Sequence, residues 1–166
     1  MLLASESHKR IEKFLRGHLR NNALRLPPIF IYSGRWTRWL TSAFNIVAIT
    51  FGRRVFVAPK KIERDDDGRL TVSAGLIAHE ATHVVQYERA GFTGFLFSYL
   101  WEYGRALREQ QQGWSKSARH AAYLAIKQER EAYDAESAYA VWSRLEKMRD
   151  EEVTPLPSRE ENGKPE

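Results

Sequence analysis

The stretch that decides the fold is residues 73–90, SAGLIAHEATHVVQYERA. Ser73 can act as an N-cap and Gly91 can end a helix, so this pattern predicts one helix over the stretch. His79 and His83 are four residues apart, which places both imidazoles on one helix face, about one turn from each other. Two imidazoles so arranged can bind a single ion, and the spacing suits zinc.

Glu80 lies next to this histidine pair. At 3.6 residues per turn it is displaced by only ~60° from His83 around the helix axis, beside the metal position. Zinc lowers the pKa of a bound water towards ~7, and a neighbouring carboxylate can accept its proton as the hydroxide attacks a carbonyl. The HExxH pattern therefore predicts a zinc metalloendopeptidase with Glu80 as the general base. The alternative is an ordinary core helix with two hydrogen-bonded histidines.

A hydrolytic zinc site needs a third protein ligand and an open position for water. On the helix predicted near the C-terminus, Glu129 falls on a mainly apolar face, whereas Glu131 shares its side with polar residues. Glu129 is therefore the predicted third ligand of one zinc ion. Glu131 and His120 are alternatives, and Glu129 could instead form only salt bridges.

The oxyanion of a tetrahedral intermediate could be stabilised by a hydroxyl or an imidazole beyond the metal. The chain offers Tyr133, Tyr123, Tyr139 and His120 for this role. Tyr133 follows Glu129 by one helical turn, so it is the predicted catalytic tyrosine. Any one of these tyrosines could instead be an ordinary core residue.

The remaining pattern predicts an α+β domain over residues 1–150. Its expected parts are a helix at about 5–20, a sheet at about 28–72 and helices over about 93–150, the last with a break. In the sheet, a turn at Gly52-Arg53-Arg54 separates two β-branched and aromatic runs, Asn45–Phe51 and Val55–Ala58.

Three further features concern the loops and the end of the chain. Asp65–Gly68 predicts a polar turn rather than a calcium loop, because the ligand spacing of a calcium loop is missing. Gly113 is the expected end of a helix that begins at Thr93. Residues 151–166 are rich in Pro, Gly, Lys and Glu, which predicts a disordered tail.

Composition excludes several classes of function. The chain has no cysteine, so disulfides, thiolate zinc ribbons and cysteine nucleophiles are excluded, and a metal must use His, Asp or Glu. The net charge is +5, but the basic residues are scattered along the sequence and do not form a tract interleaved with aromatic residues. This distribution argues against a nucleic-acid partner. No secretory signal is evident, and the longest apolar runs reach about half of the ~20 residues of a membrane span. A cytoplasmic location is expected.

The segment HEATHVVQY at residues 79–87, followed by Glu129-Arg130-Glu131-Ala132, resembles the gluzincin clan of zinc metallopeptidases. Over roughly residues 28–140 the chain is similar to small bacterial minigluzincin-like domains. The resemblance implies a minimal zincin fold, with a small, mainly antiparallel sheet packed on three or four helices. It also implies His79, His83 and Glu129 as the zinc ligands and Glu80 as the general base.

Two further implications of the resemblance concern the surroundings of the site. In the clan an acid often follows the ligand glutamate by four positions and supports a histidine, but this chain has Tyr133 there, so Asp134 or Glu136 could substitute. In the clan, too, a strand before the active-site helix pairs with an extended substrate. Asn45–Phe51 is the candidate strand, and an interior position for it is equally compatible with the pattern.

The expected partner is therefore a peptide or protein substrate. The main alternative is a zinc-binding module of weak or no activity that acts through partner binding, since similar domains occur beside bacterial toxins and secretion systems. A less favoured alternative is membrane association through residues 91–97, GFTGFLF, because a core helix explains the same residues. The sequence does not indicate an oligomeric state.

Overall fold

Six α-helices and two small sheets make up the part of the chain that the computed structural model describes, residues 1–44, 46–64, 70–109 and 115–153. The predicted α+β class is confirmed. In chain order the elements are α1 (Ser5–His18), β1 (Phe30–Tyr32), α2 (Arg35–Phe44), β2 (Ala48–Phe51), β3 (Arg54–Val57), a 3-10 turn (Pro59–Lys61), β4 (Ile62–Arg64), β5 (Leu70–Val72), α3 (Ala74–Ala90), α4 (Phe92–Glu109), α5 (Lys116–Ala125) and α6 (Lys127–Val153).

The larger sheet has the strand order β1-β3-β2. The two predicted runs form strands β2 and β3, which pair as an antiparallel hairpin, and its turn contains Gly52 at φ 60°, a left-handed conformation that glycine adopts without strain. Strands β1 and β3 are parallel, so this sheet is mixed, while β4 and β5 form a separate antiparallel pair. Strand β2 therefore lies at an edge, which decides between the two positions expected for it.

The opposite edge of this sheet is covered by the start of the chain. Leu2 bridges to Phe30 in β1, and the backbone N–H of Ile31 donates to the carbonyl of Met1 at 2.7 Å. Among the described residues, no strand pairs with the outer edge of β2. The sheet thus has one edge covered and one edge available.

Helix α3 runs through the centre of the molecule, and its residues 76–87 are all buried. The main core around it combines side chains from α1, β1, β3 and α6, and it includes Leu15, Ile31, Val55 and Val84. Because α3 is enclosed on every side, its polar residues must find partners inside the protein.

Helices α5 and α6 are separated at Ile126, so the long C-terminal pattern contains a break, whose position the sequence did not predict. Ile126 is extended, with ψ 131°, and its side chain is fully buried. The next residue, Lys127, donates its backbone N–H to the Glu102 carboxylate on α4 at 2.7 Å. This break gives α6 its own direction and places Glu129 in its first turn.

Several predicted features lie outside the described residues: Asn45 at the start of the second strand, the turn Asp65–Gly68, the helix end at Gly113, and residues 154–166 of the tail. Helix α6 is described as far as Val153. In the described ranges, no helix is both long enough and apolar enough to cross a membrane.

Candidate metal centre

The two histidines of α3 occupy one face of the helix, as their spacing predicts. Ser73 caps the helix by accepting a hydrogen bond from the Leu76 backbone N–H at 3.3 Å. The rings of His79 and His83 are 5.0 Å apart between centroids and meet at 77°. Both residues are buried, at 5% and 6% exposure.

Glu129 reaches these histidines from the first turn of α6. The Nε2 atom of His79 lies 3.5 Å from Glu129 Oε2, and the Nε2 atom of His83 lies 3.5 Å from Glu129 Oε1. One ligand atom from each of the three residues falls within 4.8 Å of the others. The structure therefore brings together the three residues predicted as metal ligands.

The separations fit a bound metal ion. In a tetrahedral site with bonds of about 2.0–2.2 Å, neighbouring ligand atoms are about 3.4 Å apart, close to the two distances found here. Glu129 Oε2 is buried and has no hydrogen-bond partner among the described residues. A buried carboxylate oxygen without a partner is costly, and a cation at this position would satisfy it.

The charges of the centre are coupled. Burial alone would lower the pKa of His83, but its contact with Glu129 and the charge of that carboxylate, followed by the charge of Glu80, raise it to about 9. Burial alone would raise the pKa of Glu129, yet its contacts with His79 and His83 and the charge of His83 lower it far below its usual range. Without a metal, we therefore expect His83 and Glu129 to pair as imidazolium and carboxylate.

Glu80 is buried beside the centre and is held by the edge strand. The Thr50 hydroxyl on β2 donates to Glu80 Oε2 at 2.6 Å, and both side chains are buried. Charge-assisted hydrogen bonds of this kind are among the stronger ones. The carboxylate that the sequence selects as a base is thus fixed between the histidine helix and the sheet edge.

Each histidine also has a partner behind its ring. His83 Nδ1 lies 2.8 Å from the side-chain oxygen of Gln86. His79 Nδ1 lies 3.3 Å from Glu136 Oε2, although not in hydrogen-bond geometry. Glu136 therefore occupies the supporting position expected for it. Asp134 does not, because its side chain is 76% exposed and faces His18 at 3.4 Å.

Three tyrosines surround Glu129. Tyr99 on α4 donates its hydroxyl to Glu129 Oε1 at 2.8 Å. Burial raises the pKa of Tyr99 and of Tyr123, and the negative charge of Glu129 raises both further. Tyr133 packs edge-on against the His79 ring, with centroids 4.7 Å apart, and is 39% exposed. The predicted catalytic tyrosine thus lies at the rim of the centre, where a ligand could reach it.

The other candidates lie elsewhere. His120 is exposed, stacks on the Tyr123 ring with centroids 6.4 Å apart and is not part of the ligand cluster. Tyr139 belongs to the main core, edge-on to Phe14. Glu131 is not a ligand in this arrangement, and it accepts a hydrogen bond from Gln86 at 2.7 Å.

Sequence reasoning did not identify Thr50, Gln86 or Tyr99 as parts of the site. Gln86 could have been identified from the sequence, since it is a polar residue three positions after His83 and therefore lies on the same helix face. Thr50 and Tyr99 could not have been identified in this way. Thr50 contacts Glu80, and Tyr99 contacts Glu129, each across 30 residues of sequence, so both contacts depend on how the elements pack.

Comparison with known families bears on the first half of the molecule. Residues 19–91 match the family model of the eCIS core domain. The abbreviation denotes an extracellular contractile injection system, and the family is metallopeptidase-like. The match covers less than half of the chain. It includes the larger sheet and the whole of α3, with His79, Glu80 and His83, but it ends before Glu129. No curated protein and no solved structure is significantly similar to the chain.

Proposed function

We propose that this protein is a zinc-dependent metalloendopeptidase. The observation that carries the proposal is the convergence of His79, His83 and Glu129 on one buried point, with the Glu80 carboxylate held beside it. Two imidazole nitrogens and one carboxylate form a common ligand set of catalytic zinc, and the chain has no thiolate to offer. This arrangement is the one expected from the gluzincin resemblance.

In this proposal His79, His83 and Glu129 would hold the zinc ion, which would supply the Lewis acidity that lets water lose a proton near neutral pH. Glu80 would be the base that takes this proton, and the Thr50 hydroxyl holds one of its carboxylate oxygens. Tyr133, at the rim beside His79, would donate its hydroxyl to the developing oxyanion.

The edge strand β2 provides a place for an extended peptide. Its outer edge has no partner strand among the described residues, and the hydroxyl of its Thr50 contacts Glu80. A peptide that added to this edge would gain main-chain hydrogen bonds, and its backbone would run close to the proposed base. The substrate class that fits is therefore a peptide or protein in extended conformation.

A second candidate function has its own support. The match to the eCIS core domain favours a module associated with a contractile injection system, in which the metal centre stabilises the fold and the protein acts by binding a partner. The two candidates differ in what they require of Glu80. Turnover depends on its carboxylate, whereas a stabilising metal centre does not.

The test is cleavage of a peptide library by the zinc-loaded protein and by its Glu80→Gln variant. We expect the substitution to lower the cleavage rate by about 10²–10⁴-fold, because general-base catalysis contributes that much, while the zinc content stays unchanged. Glu88→Gln is the matched control, since Glu88 is on the same helix but half exposed and paired with Arg53. Absence of cleavage by zinc-loaded wild type would favour the binding module instead.

A further inference from the structure

Gln86 is a buried amide whose oxygen has one partner and whose nitrogen has two. Its side-chain oxygen lies 2.8 Å from His83 Nδ1. Its side-chain nitrogen donates to the backbone carbonyl of Gln128 at 3.1 Å and to Glu131 Oε2 at 2.7 Å. Both acceptors belong to α6, the helix that also carries Glu129. The amide therefore connects the ring of one proposed ligand with the helix of another.

These contacts allow only one orientation of the amide. Neither the Gln128 carbonyl nor the Glu131 carboxylate can donate a hydrogen, so the nitrogen of Gln86 must face them. The oxygen of Gln86 must then face His83, and an oxygen can only accept. His83 Nδ1 consequently carries the hydrogen of this contact, which leaves Nε2 of a neutral ring with its lone pair towards Glu129.

We propose that Gln86 and Glu131 form a relay that fixes the ring orientation and the tautomer of His83 for metal binding. In this relay Glu131 orients the Gln86 amide, and the amide orients the imidazole. Partners behind a ligating histidine raise its basicity and restrict its rotation. The inference rests on the metal centre of the proposed function but not on peptide cleavage. It also gives Glu131, the alternative ligand, a different role.

Glu131 is only partly buried, and each of its two carboxylate oxygens has a different partner. Its Oε1 lies 3.8 Å from Arg89 Nη1, a pair whose two side chains are 45% and 36% exposed. Its other oxygen points inward to Gln86. A carboxylate in this position can orient an amide at the edge of the core without being desolvated as completely as Glu129, which is 3% exposed.

Zinc affinity tests the relay, measured by competition with a chromophoric chelator on the purified protein. Gln86→Leu should weaken zinc binding about 10–100-fold, the usual effect of removing a partner behind a ligating histidine. Glu131→Ala should weaken it less, because the Gln128 carbonyl still orients the amide. Arg89→Ala is the control, since it removes the exposed partner of Glu131 and should leave the affinity within about twofold.

A reciprocal exchange separates the relay from a general packing role. Gln86→Glu alone brings a second carboxylate against Glu131 and against the Gln128 carbonyl, which should turn the new side chain away from His83 and weaken zinc binding. Adding Glu131→Gln restores a donor opposite the new carboxylate and should recover at least tenfold of the lost affinity. The visible absorption spectrum of the Co²⁺-loaded protein should shift in Gln86→Glu and return towards that of wild type in the double variant, in parallel with the zinc affinity. If Gln86 only filled space in the core, the second substitution would not restore the spectrum.

The relay would be overturned if Gln86→Leu bound zinc with wild-type affinity. It would also be overturned if the double variant folded but regained none of the zinc affinity lost in a folded Gln86→Glu variant. Neither result would affect the proposed peptidase activity. If zinc affinity follows the relay and the peptide library is not cleaved, the relay stands and the peptidase proposal fails. A wild-type protein that binds no zinc would overturn both.

Discussion

Helices α3 and α6 both supply residues to the candidate metal centre, but the two helices differ in burial. Helix α3 is buried over residues 76–87, which include both histidines and Glu80. Helix α6 is buried along one side only, and beyond Tyr139 none of its side chains described is fully buried. Among the acids of α6 with described side chains, only Glu129 is fully buried.

This difference shows that burial, more than residue type, distinguishes the acid at the candidate metal centre from the solvated acids of α6. Helix α6 has many carboxylates, and most can be hydrated or paired at little cost. Glu129 cannot, and its burial is stabilised by two histidines and a tyrosine hydroxyl.

Removing the buried acid should have the largest effect. Structural zinc sites derive about 10–16 kcal/mol from four ligands, so Glu129→Ala should weaken zinc binding by about 10²–10³-fold. Asp134→Asn, an exposed acid on the same helix, should change it less than twofold. Zinc titration against a competing chelator measures both. Equal effects of the two substitutions would show that burial on α6 does not select the ligand.

The pairing of α3 with α6 should also make the metal-free protein sensitive to pH. The pKa of His83 is raised from 6.5 to about 9, so its stabilising contribution is complete below about pH 6.5 and is lost as pH rises through 9. Glu129 has a lowered pKa, so its contribution is present above about pH 4.5, near its usual pKa, and is lost as pH falls further.

Denaturant unfolding of the chelator-treated protein tests this pH dependence. The free energy of unfolding should fall by about 3 kcal/mol between pH 6.5 and pH 9.5 in wild type, from the size of the His83 shift. In Glu129→Ala most of this slope should disappear, because the charge that raises the pKa of His83 is gone. A slope that persists unchanged in the variant would mean that other groups cause it.

The tyrosine from α4 should contribute less. Tyr99→Phe removes the hydroxyl that donates to Glu129 and should lower the free energy of unfolding by about 1–3 kcal/mol, the value of a hydrogen bond to a charged group. Tyr103→Phe, one turn along the same helix and without a hydrogen bond among the described residues, should change it by less than about 0.5 kcal/mol. Denaturant unfolding of both variants gives the comparison.

The exposed end of α6 should tolerate change best. Met148 is 58% exposed, so Met148→Lys should alter the free energy of unfolding by less than about 0.5 kcal/mol and leave zinc binding unaffected. A larger loss of stability would show that this end of α6 is covered in solution, and thermal unfolding at several protein concentrations would detect such self-association.

Local spacing explains how much of the centre could be predicted from the sequence. The positions of His79, Glu80 and His83 follow from one helix, and periodicity alone puts them on adjoining faces. Glu129 could be selected over Glu131 because the apolar face of α6 was readable from its neighbours. The α+β class and the β2–β3 hairpin followed from β-branched runs around a glycine turn.

The sequence could not show how the helices and strands pack against one another. Tyr99 is partly buried on α4, but the sequence cannot show that its hydroxyl contacts a carboxylate 30 residues away. The same applies to Thr50 and Glu80. The break at Ile126 could be anticipated only in outline, because it depends on a buried isoleucine and on a contact with Glu102 from another helix.

We propose that His79, His83 and Glu129 form one zinc site. Elemental mass spectrometry of the purified protein tests this proposal, with wild type compared with His83→Ala and Glu129→Gln. We expect close to one zinc per chain in wild type, its loss in His83→Ala and a reduced content in Glu129→Gln. Wild-type protein without zinc, even after reconstitution with the metal, would contradict it and leave a buried histidine–carboxylate cluster that serves only the fold.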